Sequence, residues 1–124
     1  MKAERPPAIT IRRVYESPEP GEGPRWLVDR IWPRGLTKAA AGLAGWAKDA
    51  APSSVLRQWF GHEPERFAEF RRRYLAELRA CPEASDALIA AAHAGPLVLV
   101  YAAHDETHNN AVVLREYLME RMRA

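Results

Sequence analysis

The chain has one cysteine, Cys81, and only three lysines among its 18 basic residues. A single cysteine excludes an internal disulfide and suits a reducing compartment. No long apolar run is present: Pro96 to Ala103 falls far short of the ~20 residues that a bilayer demands. Met1 to Pro7 mixes charge with proline and carries no apolar signal segment. A cytoplasmic protein with no membrane partner is therefore expected. Excess charge of one sign is missing too. A net charge of +2 gives no basis for bulk attraction to nucleic acid, so any anion site has to be local. Nor do the seven glycines form a phosphate-binding loop or a dinucleotide fingerprint.

What is there suits one compact domain spanning residues 1–124, with 48% hydrophobic and 27% charged residues. Ile9 to Tyr15 alternates as a strand, with Ile9, Ile11, Val14 and Tyr15 inward. Ser17 to Pro24 is a mobile loop of prolines and glycines. Arg25 to Trp32 returns to strand character, with Trp26, Val28 and Arg30 on one side and Leu27, Asp29 and Ile31 on the other; Pro33 and Gly35 end it. Leu36 to Pro52 is mixed, with room for a short helix and with Leu43 and Trp46 buried. Ser53 or Ser54 caps a helix that Gly61 ends.

Glu63 to Ala80 is the clearest helix, striped by Phe67, Phe70, Tyr74, Leu75 and Leu78. Ser85 caps another, closed by Gly95 and Pro96. Leu97 to Tyr101 is a continuous apolar run, as in a strand buried on both faces. A last helix carries Ala111, Leu114, Leu118 and Met122. The order β, β, several α, β, α predicts an α/β fold: a small, mainly parallel sheet of about three strands with helices on its faces.

Two polar segments follow directly from strands. One is Asp29 to Gly35, the other Tyr101 to Asn110. A helical crossover joins parallel neighbours, so both segments emerge at the carboxyl end of the sheet, where open α/β sheets bind ligands. Arg34 beside Gly35 is a candidate anion contact, with the glycine allowing close backbone approach. Asp29 and Arg30 are candidates for a site or for a structural ion pair. Thr107, Asn109 and Asn110 fall at a helix start, where free N–H groups favour an anion. Asp105 or Thr107 serves equally as a cap, and capping explains only one of the two asparagines.

His104 and His108 have the four-residue spacing of zinc-binding helices, but no third ligand is evident and no metal is expected. His108 is the better proton carrier, since histidine titrates near neutrality. Cys81 reads as an inert thiol, and Trp59, Phe60 and His62 read as core and helix-end packing.

Val28-Asp29-Arg30-Ile31-Trp32-Pro33-Arg34-Gly35 closely resembles the YeaO-like family, a bacterial group of unknown function. The likeness continues through Trp46 to Ser53, Leu56 to Phe60, Phe70 to Tyr74, Leu99 to Ala103 and His108 to Ala111. It implies a compact α/β fold and names no reaction and no cofactor. Asp29, Arg30, Trp32, Pro33, Arg34, Gly35, Tyr101 and Asn109 match positions of the family's motifs; His104 does not.

The resulting expectation is an enzyme, or an enzyme-like binder, for a small anionic ligand such as a nucleotide or sugar phosphate. Asp29 and His108 would move protons. Arg30, Trp32, Arg34, Gly35, Tyr101, Thr107, Asn109 and Asn110 would bind. The rival is a nucleic-acid-binding or regulatory accessory protein using Arg12, Arg13 and Arg71 to Arg73, although no helix-turn-helix reader is visible. A third reading is a protein-interaction module edged by the prolines of Ser17 to Pro24.

Overall fold

The computed structural model describes residues 8–123, so the reading of Met1 to Pro7 lies outside the described residues. Four strands form one sheet: β1 (Ile9–Arg13), β2 (Arg25–Leu27), β3 (Gly45–Trp46) and β4 (Leu97–Tyr101). Their order is β1-β4-β2-β3 and every neighbour is parallel. The expected α/β class and parallel sheet are present. There are four strands rather than about three: the additional one, β3, is two residues long, too short to give a periodic signal.

The apolar run of β4 is buried along its whole length because it lies between β1 and β2. Leu97, Leu99 and Tyr101 pack with the helices α2 (Ser54–Phe60), α3 (Phe67–Ala80), α4 (Asp86–Ala94) and α5 (Asn110–Arg123). Val98 and Val100 face the other way, against Val14, Leu27, Trp32, Leu36 and Leu43. That second face is covered by the segment containing α1 (Lys38–Ala41). The stripe of α3 is as expected, with Phe70, Tyr74, Leu75 and Leu78 buried. Each such side chain contributes roughly 1.5–3 kcal/mol by leaving water.

Several local expectations need correction. Strand β2 stops at Leu27, not Trp32, because its pairing with β4 ends at Leu27 and Val100. Beyond the last bond, Val28 N–H to Val100 O at 3.1 Å, the chain leaves the pleat. Tyr15 and Trp46 are exposed rather than inward. Ser53 does cap α2, accepting from Leu56 N at 3.1 Å, but Ser85 makes no capping bond at α4.

The loop from Ser17 to Pro24 is fastened. Arg12 donates to Ser17 O and lies against the carboxylates of Glu16, Glu19 and Glu22, while Glu22 also accepts from Arg25 at 3.0 Å. Gly23 packs so close to Pro96 that a Cβ would sit 2.1 Å from Pro96 O. Only glycine permits that approach.

Candidate functional site

A cavity of about 650 Å³ opens at the carboxyl ends of β2 and β4. It is walled by the Asp29 to Arg34 segment, by Pro52, Arg57, Phe60, His62 and Phe70 from the α2–α3 side, and by Ala102 to Asp105 with Asn109 and Asn110. Parallel pairing places both strand exits at one end, so the two polar segments meet as expected.

Asp29 sits at their junction. Its Oδ2 accepts from Ala102 N at 2.9 Å and its Oδ1 from Asn110 Nδ2 at 3.0 Å. Its backbone carbonyl accepts from Trp46 Nε1 at 2.6 Å, which ties the short β3 to the site. Burial pushes the Asp29 carboxyl above the usual carboxylate range; the bonds from Ala102 and Asn110 pull it partly back.

Asp29 and Arg30 form no ion pair. Arg30 donates to Pro52 O at 2.9 Å and Ala51 O at 3.3 Å, fastening the turn before α2. Nor do they point to opposite sheet faces: both line the cavity, because the pleat has already ended at Leu27.

Arg34 lines the cavity and is exposed; its carbonyl accepts from Tyr15 Oη at 2.9 Å. Gly35 does not line it, and a Cβ there would meet nothing within 4 Å. Its φ of +75° shows that the glycine serves the turn, not a close ligand approach. Trp32 closes the same turn, donating to Leu36 O at 2.6 Å, with its ring edge against Trp46.

At the start of α5 the structure divides the expected roles. Asp105 accepts from Thr107 N and His108 N, both at 2.9 Å, and these bonds hold its carboxyl well below the ordinary range. Asn109 is the helix cap, accepting from Val112 N at 3.1 Å and donating to Asp105 O at 2.9 Å. The donors of Thr107, His108 and Val112 are therefore taken by the protein's own side chains. Asn110 instead reaches Val28 O and Asp29.

Thr107 and His108 lie outside the cavity lining. The His108 ring bonds Asp105 at 3.0 Å and stands edge-on to Phe67 at 5.2 Å. Tyr101 is buried and does not line the cavity either. Among the described residues no group of three or more His, Cys, Asp and Glu side chains gathers as a metal site.

Of the lining residues able to carry charge, two are not site candidates by sequence. Arg57 shares its short helix with the buried Leu56 and Phe60. Its Nε is fully buried, and among the described residues its guanidinium has no hydrogen-bond or carboxylate partner. A basic residue three positions before a core phenylalanine was the available signal. His62 reads from sequence as packing, yet it is exposed and lines the cavity, held at φ 60°, a conformation uncommon outside glycine.

The arginines of the nucleic-acid reading are largely committed elsewhere. Arg71 pairs with Glu116, and Arg72 and Arg73 with Glu69. Arg13 donates to the carbonyls of Ala103 and Ala102.

Fold and site together define a small parallel α/β domain with a cavity of mixed polar and apolar lining at the carboxyl edge of its sheet. The chain belongs to the DUF488-N3i family, described as the inactive DUF488-N3 subclade, whose sequence model matches residues 8–124. It is 42% identical over 110 residues to the uncharacterized protein YeaO of Escherichia coli (strain K12), covering 89% of this chain and 96% of that protein. It is also 51% identical over 70 residues to the uncharacterized protein Rv3073c of Mycobacterium tuberculosis (strain ATCC 25618 / H37Rv), covering 56% of this chain and 59% of that one. No solved structure matches the chain. Among the described residues no helix is long and apolar enough to cross a membrane.

Proposed function

We propose that this protein binds a small phosphate- or carboxylate-bearing ligand in the cavity at the carboxyl ends of β2 and β4, without turning it over. The observation that carries this reading is the pair Arg34 and Arg57. Both line the cavity, and among the described residues neither guanidinium has a hydrogen-bond or carboxylate partner. The buried Nε of Arg57 is drawn out of water with no acceptor, which is costly, and an anion's oxygens would supply one there and meet the exposed Arg34 at the same cavity. Arginine suits that task because its fork meets a phosphate or carboxylate with two parallel bonds. Each charge-assisted contact contributes roughly 1.5–3 kcal/mol.

The volume of about 650 Å³ falls in the usual range for small-molecule sites. Binding without turnover is favoured by two facts. His108, one of the two expected proton carriers, lies outside the cavity and leaves Asp29 there without it, and the family is described as an inactive subclade. The test is calorimetric titration of the wild type, Arg34→Ala and Arg57→Ala with inorganic phosphate and pyrophosphate. The expected result is binding by the wild type and a loss of about tenfold or more in each variant, with unliganded melting unchanged. Equal affinity in all three proteins, or no binding by any, overturns the reading.

A further inference from the structure

The cavity also has an accepting end. Asn110 Nδ2 donates at once to Val28 O at 2.9 Å and to Asp29 Oδ1 at 3.0 Å. Both partners are acceptors, so the amide has only one sensible orientation, and its Oδ1 is turned away from them. Among the described residues that oxygen accepts no hydrogen bond, and Asn110 lines the cavity. Asp29 lines it as well, and among the described residues no cation pairs with it, although His62 and Arg57 act on its carboxyl from farther off. Each of its oxygens takes one donor from the protein, and each can take a second. Asp29 and Asn110, each with accepting capacity left over, thus line the same cavity as the unpaired Arg34 and Arg57.

A bare anion would satisfy the arginines and leave this end unmet, with Asp29 repelling it. A ligand that satisfies both ends carries N–H donors at a distance from its negative group. Uncharged donors fit best, because Arg30, Arg34 and Arg57 outnumber Asp29 and Asp105 along the lining and disfavour an ammonium. The same lining includes flat, apolar side chains: Trp32, Pro33, Phe60 and Phe70, with the last two rings stacked at 4.3 Å. Flat walls favour a planar ring.

We propose that Asp29 and Asn110 read the amino group of a nucleobase whose phosphate is held by Arg34 and Arg57, making amino-bearing nucleotides the ligand class. This rests on the anion-site reading above and adds the specificity that reading lacks.

The experiment compares ligand pairs on the unmodified protein, so that no variant has to fold. Inorganic phosphate, cytidine and uridine monophosphates, and adenosine, guanosine and inosine monophosphates are titrated by calorimetry. Within a pair the base gains or loses an exocyclic amine. At least one amino-bearing nucleotide is expected to bind roughly tenfold tighter than its carbonyl-bearing counterpart, and tighter than phosphate. Asp29→Asn, first verified as folded by circular dichroism, should erase that preference while phosphate, no longer repelled by the carboxylate, binds at least as tightly as to the wild type.

If phosphate binds through Arg34 and Arg57 while all the nucleotides bind alike, the inference is overturned and the anion site stands. Tighter binding of amino acids, whose donor is an ammonium, overturns it as well. Failure of every ligand, phosphate included, removes both proposals.

Discussion

Asn110 and Asp29 stand 81 residues apart in sequence, yet the Asn110 amide donates to the Asp29 carboxylate at 3.0 Å. The same nitrogen reaches Val28 O at 2.9 Å, so one side chain pins the start of α5 to the exit of β2. This tether shapes the cavity floor. Asn110→Ala leaves two part-buried acceptors short of a donor and should cost about 1–3 kcal/mol of stability. Urea denaturation measures it, and an unchanged midpoint and slope would deny the tether any energetic role.

Arg30 and Arg57 line one cavity but do different work. Arg30 holds the carbonyls of Ala51 and Pro52, so Arg30→Ala should destabilise the fold by about 1–3 kcal/mol. Arg57 has no partner among the described residues. Arg57→Ala should therefore leave stability within about 0.5 kcal/mol of the wild type, or raise it slightly. Thermal melts of the two variants side by side decide the assignment. The opposite ranking would make Arg57 the structural residue.

Asp29 gives the stability an unusual pH dependence. Burial raises its pKa in the folded protein above the ordinary 3.8. The folded state then holds the proton more tightly than the unfolded chain does. Its contribution is fully present below the unfolded pKa and is lost as pH rises through the folded value. The side-chain amide of an Asp29→Asn variant does not titrate. The stability of that variant relative to wild type should therefore climb with pH in the window opening just above 3.8 and then level off. Denaturation of both proteins at a series of pH values would reveal it. A constant difference would contradict the raised pKa.

Asn109 is a buried helix cap. Asn109→Ala should cost about 1–2 kcal/mol, while Asn109→Asp, which keeps the accepting oxygen for Val112, should recover part of that loss. Hydrogen exchange at Val112 reports the cap directly. Equal exchange in wild type and the alanine variant would rule it out.

Much of this architecture was legible in the chain. The five apolar residues of β4 announced a strand covered on both faces, and the spacing of Phe70, Tyr74 and Leu78 announced α3. Parallel strands joined by helical crossovers were enough to bring the Asp29 and Asn110 segments to one sheet end. Arg34 was readable for the same reason, since it follows a strand exit. The two-residue β3 was not, because so short a strand carries no periodicity.

The roles inside the site were harder to read. Residue type showed that Asp29, Arg30, Asp105 and His108 were capable of chemistry, but not which of them the fold would occupy. Arg30 went to the carbonyls of Ala51 and Pro52, and Asp105 went to the N–H groups of Thr107 and His108. Arg57 was left unpaired because no carboxylate reaches it among the described residues.

Local sequence by itself determined the elements and their order, because hydrophobic spacing and capping act over a few residues. Only the tertiary structure decided which polar groups neutralise one another and which face the cavity. Hydrogen bonds and desolvation depend on neighbours brought together from distant parts of the chain.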